Sequence, residues 1–94
     1  MQIQQQENNG KGMFYIEVHG EIHGRMIYHM ASPDHMIIDH TEADDELREQ
    51  HAGYQLVQAG VEYARRQHML ITPWCPFAKK LFDAKPEWSD VLKK

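Results

Sequence analysis

Asp39-His40-Thr41-Glu42, then Leu47-Arg48-Glu49-Gln50-His51-Ala52-Gly53, and later Thr72-Pro73-Trp74-Cys75-Pro76-Phe77 are the segments whose reading decides the fold. Between the last two, Gly53, Leu56, Val57, Gly60, Val61 and Ala64 recur at i, i+3, i+4, i+7, i+8 and i+11, one stripe at helical period. Gln55, Gln58, Glu62, Arg65 and Arg66 take the other side, which predicts an amphipathic helix over 52–67. Gly60 costs about 1 kcal/mol against alanine inside a helix, so its place in the stripe points to close packing on a sheet. Met69 to Thr72 is a short apolar run suited to a buried strand. Strand, helix, strand implies a crossover that leaves the last strand parallel to its partner.

Upstream, Phe14, Ile16 and Val18 alternate within Met13–His19, and Ile22, Met26, Tyr28 and Met30 align within Glu21–Ala31. Gly20 and Ser32-Pro33-Asp34 separate these runs from each other and from a third over Met36–Thr41. The three read as an antiparallel meander. Glu42 to Glu46 form an acidic loop whose last residues can cap a short turn. Downstream, Pro76 suits the first position of a helix with Phe77, Leu81 and Phe82 on its buried side. Lys85-Pro86 interrupts that helix, and Trp88, Val91 and Leu92 predict a last turn against the body. The expected order is βββαβα, a mixed sheet with helices packed on it, of α/β (α+β) class. Residues 1–12 are polar and, beyond a first few that could alternate as an edge strand, read as a flexible lead-in to one domain over 13–94.

Length and charge bound the function. Ninety-four residues make one domain that buries roughly two-thirds of its unfolded surface. A net charge of −4 argues against nucleic acid as the main partner. No apolar run approaches the ~20 residues that span a bilayer, and the Gln-rich start lacks a signal peptide's charged and apolar regions. One cysteine permits no internal disulfide, so a reducing, cytoplasmic setting is expected. A monomer or weak dimer is expected. Seven histidines invite a metal, yet His19 and His23 straddle a turn signal. On one continuous strand they would stand ~13 Å apart, too far to share an ion. No metal is expected.

Two positions carry chemistry. A turn that leads into a helix offers unpaired amides and the positive end of the helix dipole, a seat for pyrophosphate, over Arg48–Gly53. Cys75, just before Pro76, sits where a helix start stabilises a thiolate, either as nucleophile or as an acid for a departing thiolate. The alternative for each is structural: an ordinary loop–helix junction, and a small buried hydrophobe. His40 and Thr41, at the end of the third strand, fall near Cys75 if the crossover is right, and His40 could serve as base for an amine. Trp74 reads more readily as packing than as lining for a substrate.

Ile38-x-His40-Thr41, Leu47-Arg48 through Gly53, and Pro73-x-Cys75-Pro76-Phe77, with Pro86-Glu87-Trp88 near the end, together resemble the small single-domain GNAT-like N-acetyltransferases, over roughly residues 13–92. The resemblance implies a truncated GNAT sandwich that binds acetyl-CoA between splayed parallel strands and acetylates an amine acceptor of unknown identity. It implies Cys75 and His40 as catalytic residues. Thr41, Arg48, Glu49, Gln50, His51, Ala52 and Gly53 would be the cofactor contacts. The family pattern Gln/Arg-x-x-Gly-x-Gly/Ala is met at Arg48 and Gly53, but His51 stands where its middle glycine belongs, and Glu49 where the small relatives favour glycine. These departures keep two other classes open: a non-catalytic acyl-CoA-binding sensor, and a small interaction protein.

Overall fold

A computed structural model describes residues 2–94. Five strands form one sheet in sequence order: β1 (Gln4–Asn8), β2 (Lys11–Val18), β3 (Glu21–Ser32), β4 (His35–Ala43) and β5 (Leu70–Pro73). The first four run antiparallel and β5 pairs parallel to β4, with His35 opposite Leu70 and Ile38 opposite Pro73. Helices α1 (Asp45–Arg48, a single turn) and α2 (Ala52–Gln67) connect β4 to β5, and α3 (Pro76–Ala84) follows. The mixed sheet, the bounds of α2 and the start of α3 at Pro76 match expectation.

The lead-in expected over 1–12 instead contains β1, so the order gains a strand. Asn9 and Gly10 both take positive φ, 54° and 77°, in the two-residue turn that favours hairpins. The polar side chains of β1 have partners: Gln5 Nε2 donates to the Tyr28 hydroxyl at 2.8 Å, and that hydroxyl donates to Glu7 Oε1 at 2.7 Å. Tyr28 is fully buried, and burial, helped by Glu7, pushes its hydroxyl pKa up. Gly12 is required beside it, since a Cβ there would stand 2.6 Å from the Tyr28 ring and hydroxyl.

Leu56, Val57 and Val61 of α2 are fully buried against Phe14, Ile16, Met26, Tyr28, Met36 and Ile38. Each such side chain contributes about 1.5–3 kcal/mol over leaving it exposed. Gly60 lets α2 close on the sheet: a Cβ there would meet Met26 Cε at 2.8 Å. The C-terminal segment then covers the outer edge of β5. Ile71 N–H donates to Val91 O, and Lys93 N–H donates to Ile71 O. The Trp88 ring stacks on Tyr54 and meets Phe82 edge-on. Arg65 clamps this segment through two bonds to Asp90, at 2.8 and 2.9 Å, and so holds the Asp90 carboxyl below its ordinary pKa.

One irregularity positions everything that follows. Tyr28 pairs with Ile38, but Ile27 pairs with His40, so Asp39 is an extra residue in β4. A bulge of this kind shifts the side-chain alternation by one. Before it, Met36 and Ile38 point under α2; after it, Thr41 and Ala43 share that face, opposite Met26 and Gly24.

Candidate acyl-transfer site

Strand β5 ends at Pro73 while β4 continues to Ala43, so the second half of β4 has no neighbour on that side. The chain turns away there: the N–H groups of Trp74 and Cys75 both donate to Ile38 O, at 3.1 and 3.0 Å. An open cavity of about 990 Å³ lies in the gap, walled by Thr41, Glu42 and Ala43 of β4, by the start of α2, and by Phe77 and Leu81 of α3. That volume suits a ligand of drug size or slightly more.

The start of α2 faces this space. Its first backbone bond runs from Gln55 N–H to His51 O at 3.0 Å, so the amides of Ala52, Gly53 and Tyr54 have no backbone partner among the described residues. His51, the N-cap, adopts the left-handed conformation, φ 58° and ψ 40°. That conformation costs a side chain roughly 1–2 kcal/mol and explains why glycine is the expected residue. His51 therefore combines a backbone conformation suited to glycine with a side chain at the cavity wall. Gly53 is needed for a different reason: a Cβ there would stand 2.7 Å from Phe77 Cζ, so the ring rests on the helix start.

Arg48 lines the cavity with its guanidinium anchored, Nε donating to Ala43 O at 3.1 Å and one terminal nitrogen 3.2 Å from Asp45 Oδ1. Of the seven expected cofactor contacts, Thr41, Arg48, His51 and Gly53 reach the cavity. The other three, Glu49, Gln50 and Ala52, are not among its lining residues. Glu49 ends α1, Gln50 is exposed and holds Gln55 Nε2 on its carbonyl at 2.9 Å, and Ala52 is buried beneath. Lys79 pairs with Asp83 at 3.8 Å, and neither it nor Lys80 lines the space.

Cys75 is the N-cap of α3, as expected, and only 4% exposed. Its thiol donates to Thr41 Oγ1 at 3.7 Å. The structure therefore joins Thr41 to Cys75 but does not bring His40 to them. The bulge at Asp39 turns His40 to the opposite sheet face, where its side chain is 59% exposed and Nε2 stands 3.8 Å from Glu42 Oε1. Without the extra residue, position 40 would follow 36 and 38 inward. Trp74 is 74% exposed, so it is not the packing residue it resembles in sequence. Tyr54, Gln55, Gln58, Phe77 and Leu81 line the cavity without having been singled out as site residues. Gln55 and Gln58, at i and i+3 on the polar side of α2, were the available signal. No group of three potential metal ligands occurs among the described residues, and no described helix is long and apolar enough to cross a membrane.

A sequence model of the GCN5-related N-acetyl-transferase family matches residues 13–91. The chain belongs to that family. Among solved structures, a GCN5-like protein of Staphylococcus aureus, studied by NMR, is 30% identical with a TM-score of 0.73, over 96% of this chain and 87% of that one. The ribosomal-protein-alanine N-acetyltransferase of Brucella melitensis biovar Abortus 2308 shares the fold at 15% identity and TM-score 0.66, over 82% of this chain and 62% of that one. An aminoglycoside acetyltransferase from an uncultured soil metagenomic sample does so at 12% identity and TM-score 0.59, over 93% and 62%. No curated protein matches the chain.

Proposed function

We propose that this protein is an acetyl-CoA-dependent N-acetyltransferase acting on an amine acceptor. The observation that carries the reading is the gap beside β4, where an unpaired strand edge and a helix start wall one cavity and Cys75 stands behind that wall, bonded to Thr41. The free edge of β4 can bond the amides of a pantetheine arm as a short added strand. The amides of Gly53 and Tyr54, with Arg48, supply positive charge for a pyrophosphate. Phe77, Leu81 and Tyr54 give the arm an apolar wall. The thioester would then lie beside Thr41, with Cys75 behind it as acid or nucleophile. His40 serves as base only for an acceptor that arrives from the outer sheet face. We further place the protein in the cytoplasm, as a monomer or weak dimer, in keeping with its single thiol.

The second reading is a sensor that binds acyl-CoA without turnover, and His51 favours it, because an imidazole occupies the phosphate approach. Titration calorimetry with CoA, paired with thiol release from acetyl-CoA across a panel of primary amines, separates the two. Saturable binding with turnover supports the enzyme, and binding without turnover across the panel supports the sensor. Absence of binding defeats both.

A further inference from the structure

We infer that the Thr41 hydroxyl is a proton relay between Cys75 and the leaving sulfur of acyl-CoA, and that Cys75 does not itself take the acyl group. This rests on the acyl-CoA reading above. Cys75 is buried and is not among the residues that line the cavity, whereas Thr41 is. The thiol donates to Thr41 Oγ1 at 3.7 Å, and that hydroxyl has no other hydrogen-bond partner among the described residues. Its own proton is therefore free to point at whatever fills the cavity. A nucleophile must approach a carbonyl to about 3–3.5 Å in line. With Thr41 between the thiol and the cavity, Cys75 lacks that approach, but a proton can pass through the hydroxyl. The bulge at Asp39 makes this possible by turning position 41 inward.

The step balances as follows. The acceptor nitrogen forms a bond to the acyl carbon, the carbon–sulfur bond breaks, and its electron pair stays on the CoA sulfur. That sulfur takes the Thr41 proton as Thr41 takes the proton of Cys75. The acylated nitrogen releases a proton to solvent, and Cys75 recovers one from solvent. Thr41 touches the substrate; Cys75 acts through it and is a positioning residue that holds the proton in reserve.

The test uses the whole chain with hydroxylamine, the smallest convenient nitrogen nucleophile, and reads CoA thiol release from acetyl-CoA above the buffer rate. Thr41→Val, which keeps the shape and removes the hydroxyl, should lose about 100-fold, the usual reach of a positioned proton donor. Thr41→Ser should restore most of it. Equal rates in wild type and Thr41→Val, whatever their size, overturn the relay. Intact mass after acetyl-CoA alone should show no acetyl on wild-type Cys75, whereas Thr41→Gly, which opens the path, should acquire one that Cys75→Ala in that background abolishes. An acetyl adduct on wild-type Cys75, or a folded Thr41→Gly that binds CoA and stays unmodified, overturns the screening role. Calorimetry with CoA on the same samples separates these failures from failure of the acyl-CoA reading, which would show as no binding in wild type.

Discussion

The two halves of β4 differ in neighbours and in burial. His35–Ile38 has β3 on one side and β5 on the other, and its Met36 and Ile38 are fully buried. Asp39–Ala43 keeps β3 but loses β5, and its inward residues Thr41 and Ala43 are only partly buried and line a cavity. Two local events make the difference: an extra residue at Asp39, and the early end of β5 at Pro73. A strand can thus be packed in the core over half its length and open over the rest, because a missing neighbour leaves backbone groups unpaired and space beside them.

The sharpest way to break that comparison is to cut the same strand on both sides of the bulge. Ile38→Ala, in the paired half, should cost about 2–5 kcal/mol in urea unfolding. Thr41→Val, in the open half, should cost under about 1 kcal/mol, since it fills the same shape at a cavity wall. Comparable losses at both would mean that the open half is core. His51→Gly should strengthen CoA binding about tenfold, ~1.4 kcal/mol, and raise stability by about 1 kcal/mol by relieving the left-handed backbone. Because Glu49 does not line the cavity, adding Glu49→Gly should change little more. Removing the hydroxyl in Tyr28→Phe should cost about 1 kcal/mol and loosen β1, visible as faster amide exchange over Gln4–Asn8. The smallest effect lies at the open end of the sheet. His23 bonds Asp44 Oδ2 at 2.6 Å, and that bond raises its pKa above the ordinary 6.5. The charged form is favoured in the folded state, so its contribution to stability is full below pH 6.5 and is lost as pH rises through the raised value. In an NMR titration, Asp44→Asn should bring His23 back toward the ordinary value.

Much of this architecture was legible because it rests on periodicity. The stripe from Gly53 to Ala64 set α2 to its observed bounds, and Pro76 marked the start of α3 with Cys75 at its N-cap. The junction ahead of α2 was legible too, since it lies between residues close in sequence, with α1 ending at Arg48 and α2 starting at Ala52. What escaped has a common cause. β1 is polar on both faces, so beyond a possible edge strand in the first few residues its extent was not legible; its side chains matter through Tyr28, more than 20 positions away. The bulge at Asp39 leaves no mark in composition, yet it decides that Thr41 and not His40 meets Cys75. The exposure of Trp74 follows from where β5 stops, which alternation of apolar residues does not report.

The central claim is that the freed end of β4 and the start of α2 form an acyl-CoA seat. A two-dimensional amide NMR titration of the intact chain with CoA tests it residue by residue. The account predicts saturable shifts confined to Thr41–Ala43, Arg48–Gln55, Cys75–Phe77 and Leu81, with β1, β2 and the C-terminal segment unmoved. Shifts centred elsewhere, or none at millimolar CoA, would contradict it.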